Sequence, residues 1–270
     1  MAFGLSLPAA PQQRKKRTVA DRVTLGKTGI EVSYVGMGTG TVGYGRSSNQ
    51  TRLGQKNFTR MVRAALDHGI FYFDCADWYG SHEFLRRALA GVPRDKYTVV
   101  SKIWFRRDKN VPQTLDRFRN ELGVDYIDAV LLHCVIGEQW VTELRPLFEA
   151  LSAAKEKGII RAKGVSCHGM PALTAAAELD WADVVEVRIN HAGANMDGPP
   201  AAVVPVVNKM HEAGKGVIGI KILGEGTIAA QREESLRFVG GLACIDAMAI
   251  GFERPEHVAD IARLLERATS

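Results

Sequence analysis

The chain has 270 residues, of which 46% are hydrophobic and 7% aromatic, so it can bury a large core. Its apolar runs fall well short of the ~20 residues that a membrane span requires, and its first apolar piece precedes the basic run Arg14–Arg17, unlike a secretory signal. The net charge is +5. No aromatic platform accompanies the basic run, so we interpret it as a solvated tail rather than a nucleic-acid or anionic-surface contact.

Residues 1–20, rich in Ala, Pro, Gln and basic types, predict a flexible basic leader, and residues 21–270 predict a single domain. Two short alternating segments, 22–25 and 30–33, flank Gly26–Gly29, which is typical of a β-hairpin with a glycine-assisted turn.

Eight apolar runs bounded by turn residues follow the hairpin, and their β-branched residues and flanking glycines favour buried strands. These predicted strands are Tyr34–Gly38, Phe71–Cys75, Thr98–Ile103, Ala129–Cys134, Ala162–Cys167, Val184–Ile189, Val217–Ile222 and Ala247–Phe252. Amphipathic segments between them predict helices at Asn57–Asp67, Glu83–Leu89, Pro112–Leu122, Val141–Lys157, Met170–Leu179, Ala201–Ala213, Arg232–Val239 and Pro255–Arg267. Eight alternations predict an α/β fold, a closed (β/α)8 TIM barrel with an N-terminal hairpin, although an open doubly wound sheet has the same periodicity.

Ionisable residues interrupt three of the predicted strands close to their ends: Asp74, Lys102 and His133. Reactive groups of such barrels lie at the C-terminal ends of the strands. Since a buried charge is costly unless it is paired, we expect these three side chains to meet, with Tyr79 in the loop after Asp74. A structural Asp74–Lys102 ion pair, with Tyr79 and His133 merely hydrogen-bonded, is the plain alternative.

Such a group has a defined chemistry. Lys102, held charged by Asp74, would lower the pKa of Tyr79 from its reference of about 10. The phenol could then protonate a carbonyl oxygen as hydride reaches the carbonyl carbon, and His133 could donate a hydrogen bond to the same oxygen.

The segment Asp74-Cys-Ala-x-x-Tyr79-Gly-x-x-Glu83 resembles the aldo-keto reductase motif Asp-Thr-Ala-x-x-Tyr-Gly-x-x-Glu, and Lys102 and His133 follow in that family's order. The resemblance runs from about residue 22 to the end. It implies an NAD(P)H-dependent oxidoreductase that reduces a small aldehyde or ketone. Tyr79 would be the general acid/base, Lys102 would tune it, Asp74 would hold Lys102 and His133 would orient the carbonyl.

The resemblance also implies NADPH, with NADH possible, extended across the barrel mouth. Gly164-Val-Ser166 resembles the family's nicotinamide contact, Leu223-Gly-Glu-Gly226 its pyrophosphate loop, and Gly251–Glu256 its segment around the adenosine phosphate. The implied cofactor contacts are Gly38, Thr39, Ser166, Glu186, Lys221, Leu223, Gly224, Gly226, Gly251, Phe252, Arg254 and His257.

Several cofactor positions depart from the family pattern. The family's Asn, carboxamide-binding Gln, stacking aromatic, final-helix basic residue and final-helix Asn are replaced here by Cys167, Glu186, Ile220, His257 and Ile261. Arg254 could compensate near the 2′-phosphate, since a guanidinium clamps phosphate well. These departures predict weaker NADPH binding and keep NADH open.

Trp78, Trp104 and His168 are assigned to substrate contact, with simple packing as the alternative for the two tryptophans. Many relatives carry a C-terminal loop over the substrate, whereas this sequence stops at Ser270 directly after the last predicted helix, so we expect an open mouth.

The four cysteines, Cys75, Cys134, Cys167 and Cys244, show no CxxC spacing, which suits a reducing, cytoplasmic compartment. A metal site built from His133, Cys134, Cys167 and His168 is disfavoured, because strand alternation turns the cysteines away from the mouth.

Three functional hypotheses follow. The first is carbonyl reduction with NAD(P)H. The second is a nicotinamide-binding sensor or regulatory protein that keeps the site but turns over little, as the drifted cofactor contacts suggest. The third is a lyase that uses Lys102 as a Schiff-base amine, which a paired Asp74 disfavours because it keeps the amine protonated.

Overall fold

The computed structural model describes residues 16–107 and 109–269. Eight parallel strands close into a barrel in which each strand pairs with the next and the last pairs with the first. They are β3 (Val35–Gly38), β4 (Tyr72–Asp74), β5 (Thr98–Ile103), β6 (Ile127–Val135), β7 (Ile160–Cys167), β8 (Val184–Arg188), β9 (Gly216–Ile220) and β10 (Ala247–Gly251), after the antiparallel hairpin β1 (Arg22–Thr24) and β2 (Glu31–Ser33). The predicted (β/α)8 barrel with its hairpin is confirmed, and the open sheet is ruled out.

Helices surround the barrel: α1 (Asn49–Arg52), α2 (Gly54–Asp67), α3 (His82–Ala88), α4 (Val111–Leu122), α5 (Trp140–Glu143), α6 (Arg145–Glu156), α7 (Met170–Glu178), α8 (Pro200–Glu212), α9 (Arg232–Gly240) and α10 (Pro255–Ala268). The helix predicted over 141–157 is divided at Leu144. Pro146, in the first turn of α6, has no backbone N–H with which to continue the preceding ladder.

Strand alternation sorts the core into two layers. Tyr72, Val100 and Leu131 lie in a cluster inside the barrel, while Cys75 and Cys167 lie in the larger cluster between the sheet and the helices. Successive residues of a strand point to opposite faces, so this sorting follows directly from the sequence.

The hairpin closes the N-terminal end of the barrel. Leu25, Ile30 and Val32 are fully buried in the interior cluster. The Lys27 amide donates to the carbonyl of Gly214, just before β9, at 2.9 Å. With this end sealed, the open end of the barrel is the C-terminal one.

Residues 1–15 of the predicted leader lie outside the described residues. Residues 16–20 pack on the barrel: Val19 is 4% exposed, and the Arg17 guanidinium lies 4.8 Å from the ring centroid of Tyr34. The Arg17 amide also donates to Thr269 Oγ1 at 2.9 Å, which ties this segment to the end of α10.

Candidate active site

Asp74, Lys102 and His133 meet at the C-terminal end of the barrel. Asp74 closes β4, Lys102 lies near the end of β5, and His133 lies near the end of β6. All three are almost completely buried. The Tyr79 hydroxyl lies 3.2 Å from His133 Nε2, and the Lys102 ammonium lies 5.3 Å from the Tyr79 ring centroid. The structure therefore brings the four predicted side chains together.

Lys102 sits between two buried carboxyl groups. Its ammonium donates a hydrogen bond to Asp74 and lies 3.1 Å from Glu186 Oε1 on β8. Burial disfavours the ammonium, but Asp74 and then Glu186 outweigh it, so the pKa of Lys102 is raised well above its usual value. Lys102 is a fixed cation at neutral pH.

Glu186 is the carboxyl group that this buried cluster keeps protonated. It is fully buried, and neither carboxyl oxygen has a partner with hydrogen-bond geometry among the described residues. Burial first, and the Asp74 charge second, raise the pKa of Glu186 to about 8, against the opposing pull of Lys102. Glu186 therefore holds a proton at neutral pH. Sequence analysis expected Glu186 to face the cofactor but missed its contact with Lys102, which depends on the pairing of strands far apart in the chain.

Tyr79 is held at the mouth by the turn that carries it. The turn Asp77–Tyr79 is anchored by Asp77, whose carboxylate accepts a hydrogen bond from Arg117 at 2.7 Å. The Tyr79 ring packs directly on the backbone of Gly40 and Gly43, where an added Cβ would lie within 2.2 Å and 2.4 Å of ring atoms. The phenol thus has little freedom to turn away from the cleft.

His133 is aimed by a bulge in β6. The register of β6 against β7 shifts between Leu132 and Val135, and Cys134 has a positive φ of 62°. Bulges of this kind redirect a side chain near a site. Burial, followed by the charge of Lys102, lowers the pKa of His133 well below its usual value, so its imidazole is neutral.

The expectation that Lys102 lowers the pKa of Tyr79 below its reference is wrong for the net effect. The charge of Lys102 does lower it, but burial raises it more, and Asp74 and Glu186 add to the rise. Asp74 was expected only to hold Lys102 and Glu186 only to contact the cofactor, yet both also oppose ionisation of the phenol. Tyr79 is consequently a protonated phenol at neutral pH, which is the form that donates a proton.

Aromatic rings form one wall of the mouth. Trp78 and Trp104 stack with ring centroids 4.9 Å apart, and Trp104 meets the His133 ring edge-on at 5.6 Å. His168, after β7, lies 6.3 Å from His133. Trp104 and His168 therefore lie beside His133, and Trp78 backs Trp104.

A groove leads from this site along the ends of β9, β10 and β3. A cleft of about 340 Å3 is lined by Asp74, Tyr79 and, among the expected cofactor residues, by Gly38, Lys221, Leu223, Gly226, Gly251 and His257. A second cleft of about 410 Å3 shares Leu223, Gly251 and His257 and adds Phe252 and Arg254. Together they make an extended groove that ends at α10.

The remaining expected cofactor residues do not line this groove. Thr39 is buried, and its hydroxyl donates to the Asp74 carbonyl at 2.9 Å, so it supports β4 from behind. Gly224 is buried with a positive φ of 56° and shapes the turn after β9. Ser166 and Glu186 are paired residues of β7 and β8, and Ser166 Oγ has no hydrogen-bond partner within the described part of the chain.

The α10 end of the groove is polar. Arg254 donates to His257 Nε2 at 3.1–3.2 Å and has no acidic partner within residues 16–107 and 109–269. Asp260, on the same side, is bound by Arg232 at 2.7 Å. Arg254 is therefore the guanidinium at this end that is open to an anion. Ile261 lies 3% exposed, consistent with a packing role.

Two further residues near the site received no role in the sequence analysis. Glu225 lines the groove, and its carboxylate accepts from the Lys221 ammonium at 2.6 Å and from the Val42 amide at 3.2 Å, which links the loops after β9 and β3. Arg106 lies beside Trp104 at the rim, with its guanidinium 4.8 Å from the Trp104 ring. Glu225 lies within the Leu223–Gly226 segment that resembles the family's pyrophosphate loop, whereas the sequence signal for Arg106 was its position in the loop after β5.

All four cysteines are free thiols. Across the described residues, no three His, Cys, Asp or Glu side chains are grouped so as to hold a metal ion. Nor does any described helix combine the length and apolar character of a bilayer span.

Curated relatives match about half of the chain and less than two thirds of their own length. An NAD/NADP-dependent indole-3-acetaldehyde reductase of Schizosaccharomyces pombe is 34% identical over 134 residues, which cover 48% of this chain and 45% of the relative. An NADPH-dependent D-xylose reductase of Meyerozyma guilliermondii is 35% identical over 132 residues, which cover 38% of this chain and 42% of the relative.

Solved structures share the fold over nearly the whole chain. A Pseudomonas aeruginosa protein assigned to the aldo-keto reductases superposes with a TM-score of 0.77 at 24% identity, covering 94% of this chain and 98% of that one. A Klebsiella pneumoniae aldo-keto reductase in complex with NADPH gives a TM-score of 0.67 at 22% identity, covering 93% of this chain and 90% of that one. The sequence model of the aldo/keto reductase family matches residues 35–243, which is most of the barrel. This chain belongs to the aldo/keto reductase family.

Proposed function

We propose that the protein reduces a small aldehyde or ketone to an alcohol with NAD(P)H, using Tyr79 as the general acid. The supporting observation is the Tyr79 hydroxyl at 3.2 Å from a neutral His133, beside the cation Lys102 and at the edge of an open groove. A proton donor and a hydrogen-bonding imidazole thus face the same position, where a carbonyl oxygen would sit.

The chain's own groups divide the work. Tyr79 donates its proton to the carbonyl oxygen, while His133 hydrogen-bonds the same oxygen and sets its position. Lys102 stabilises the phenolate left behind, and Asp74 keeps Lys102 charged and in place. Fixed charges in a buried site stabilise developing charge more than they would in water. The raised pKa of Tyr79 favours the protonated form, which suits reduction rather than oxidation.

The residues present fit a nicotinamide cofactor. Ser166 Oγ is buried without a hydrogen-bond partner among the described residues, and Glu186 pairs with Ser166 across β7 and β8. A protonated Glu186 offers one donor and one acceptor, as the amide of Gln would. The glycines Gly38, Gly226 and Gly251 leave room along the groove, and Arg254 offers an anion contact at its end. When bound, NADPH or NADH supplies the hydride to the carbonyl carbon.

We also propose that residues 21–270 act as one domain. The unpaired cysteines suit the reducing conditions of the cytoplasm.

Replacing Tyr79 with Phe tests the proposed function. The variant lacks the proton donor but keeps the ring that packs on Gly40 and Gly43, so carbonyl reduction should fall by at least ~100-fold, the scale of general acid catalysis. The variant should still bind NADPH, as measured by the change in NADPH fluorescence on titration.

Tyr126→Phe is the matched control, because Tyr126 lies just before β6, at the opposite end of the barrel from the site, and loses the same atom. A Tyr79→Phe protein that turns over like Tyr126→Phe would exclude Tyr79 as the general acid.

A nicotinamide-binding sensor is the second candidate. The contact of Glu186 with Lys102 and the pairing of Lys221 with Glu225 favour it, because both engage groups expected to hold the cofactor. A panel of aldehydes, quinones and sugars that all stay inert, despite micromolar cofactor binding, would support the sensor over the enzyme.

The lyase hypothesis has less support. A Schiff-base nucleophile must be a free amine, whereas Lys102 is buried between Asp74 and Glu186 with a raised pKa. Borohydride should therefore trap no carbonyl compound on Lys102.

A further inference from the structure

The aromatic wall extends from the carbonyl position towards solvent. Trp104 meets His133 at its inner end and stacks flat on Trp78. Trp78 in turn meets Tyr44, which is 75% exposed, at 5.4 Å. A flat, apolar substrate body could therefore lie along this wall while its carbonyl reaches Tyr79.

Arg106 lies beside Trp104, the ring at the inner end of this wall. Its guanidinium donates to the Cys134 carbonyl at 3.0 Å and lies 4.8 Å from the Trp104 ring centroid and 4.7 Å from that of Phe105. Only one of its five N–H donors is used in that hydrogen bond. Arg106 itself is exposed to solvent.

Four cations act on the two histidines at the mouth. Burial is the largest cause of the lowered pKa of His133, and the charges of Lys102, Lys221 and Arg106 lower it further. Burial, followed by the charge of Arg188, lowers the pKa of His168 to about 3, with the same three cations adding to the effect. Both imidazoles are therefore neutral at neutral pH.

Three of these four cations already have acidic partners. Lys102 contacts Asp74 and Glu186, Lys221 pairs with Glu225, and Arg188 pairs with the buried Asp197. Arg106 has no acidic partner within ion-pair distance among residues 16–107 and 109–269. Of these four cations, Arg106 is the one whose charge no described carboxylate neutralises, so a bound anion can neutralise it.

We infer that the site prefers carbonyl compounds that carry an anionic group, with Arg106 binding that group and Trp104 packing against the body that joins it to the carbonyl. This inference rests on the proposed function and names its substrate class. A guanidinium held against an aromatic face is well suited to a carboxylate or a phosphate, because its planar fork can donate two parallel hydrogen bonds.

The test compares matched substrates with the intact protein and NADPH. 4-Carboxybenzaldehyde is compared with its methyl ester, which has the same body without the charge, and 4-formylphenyl phosphate is the phosphate arm. In Arg106→Gln we expect the ratio of kcat/KM for 4-carboxybenzaldehyde to that for the ester to fall about tenfold, equivalent to ~1.4 kcal/mol. The loss should lie in KM rather than kcat, because Arg106 binds a part of the substrate that does not react.

Two further variants sharpen the result. Arg107→Gln removes the same charge from the neighbouring exposed residue and should keep the wild-type ratio, while Arg106→Lys should recover part of it. A larger loss on the phosphate monoester would identify phosphate as the preferred anion and would still support the anionic class.

Failures of the two proposals are distinguishable. A wild-type protein that reduces none of the three aldehydes would refute the proposed function itself. If it reduces all three, and Arg106→Gln leaves the ratio intact or Arg107→Gln lowers it equally, the role of Arg106 is overturned while carbonyl reduction stands.

Discussion

Glu186 shows how one residue can set the pH behaviour of a buried site. It shares the single ammonium of Lys102 with Asp74, so the pocket holds two carboxyl groups and one cation. Ionising both carboxyls there would leave an uncompensated buried charge, which is costly. The proton on Glu186 avoids that cost, and its pKa of about 8 follows from burial first and the Asp74 charge second.

This proton makes folding stability depend on pH. Between the ordinary glutamate pKa of 4.5 and the raised value of about 8, the folded protein holds a proton that the unfolded chain has released. The free energy of unfolding should therefore fall as pH rises across this window. Glu186→Gln should remove most of that fall, as measured by urea unfolding midpoints at pH 5.5 and 8.5.

Glu156→Gln serves as the control, because Glu156 is an exposed glutamate on α6. If Glu186→Gln and Glu156→Gln show the same pH dependence as the wild type, Glu186 does not hold the proton assigned to it.

At the scale of elements, the first turn of α10 completes the groove that begins at Tyr79. Arg254 caps this helix and contacts His257 one turn later. If the adenosine end of the cofactor lies there, the guanidinium meets the 2′-phosphate of NADPH, a group that NADH lacks. Arg254→Gln should then raise the Kd of NADPH about tenfold, or ~1.4 kcal/mol, and change the Kd of NADH little.

Titration with each cofactor, followed by nicotinamide fluorescence, measures this difference. Arg267→Gln is the control, because it removes the same charge from the last turn of the same helix. Equal losses for NADPH and NADH would place the 2′-phosphate elsewhere.

For the whole molecule, the barrel separates stability from chemistry. The hairpin residues Leu25, Ile30 and Val32 fill the N-terminal end, whereas Asp74, Tyr79 and the groove occupy the opposite end. We therefore expect substitutions at the sealed N-terminal end to lower stability without lowering activity.

Leu25→Ala tests this separation. Leu25 is fully buried and packs on Gly216, where an added Cβ would lie 2.8 Å from the Leu25 Cβ, so the variant leaves a cavity. We expect the free energy of unfolding to fall by ~2–5 kcal/mol, measured by urea unfolding, with the Kd of NADPH unchanged. Lys27→Ala, an exposed change in the same hairpin, should cost far less. A large loss of cofactor affinity in Leu25→Ala would show that the two ends are coupled.

The amino-acid sequence by itself determined the alternation of elements and the convergence of Asp74, Lys102 and His133. Apolar runs, glycines and prolines are local signals, and parallel strands in chain order necessarily place their C-terminal ends together. Pro146 is a sequence signal for the helix break at Leu144, but the continuous amphipathic periodicity of residues 141–157 predicted a single helix.

Only the tertiary structure decided the balance of charge at the mouth. Glu186 reaches Lys102 from the far side of the barrel, Thr39 turns its hydroxyl to the backbone of Asp74, and Arg106 is left without a described acidic partner. The net pKa of Tyr79 was decided there too, because burial and the charges of Lys102 and Asp74 compete. Desolvation and charge–charge terms depend on distances across the fold, which no local pattern along a chain records.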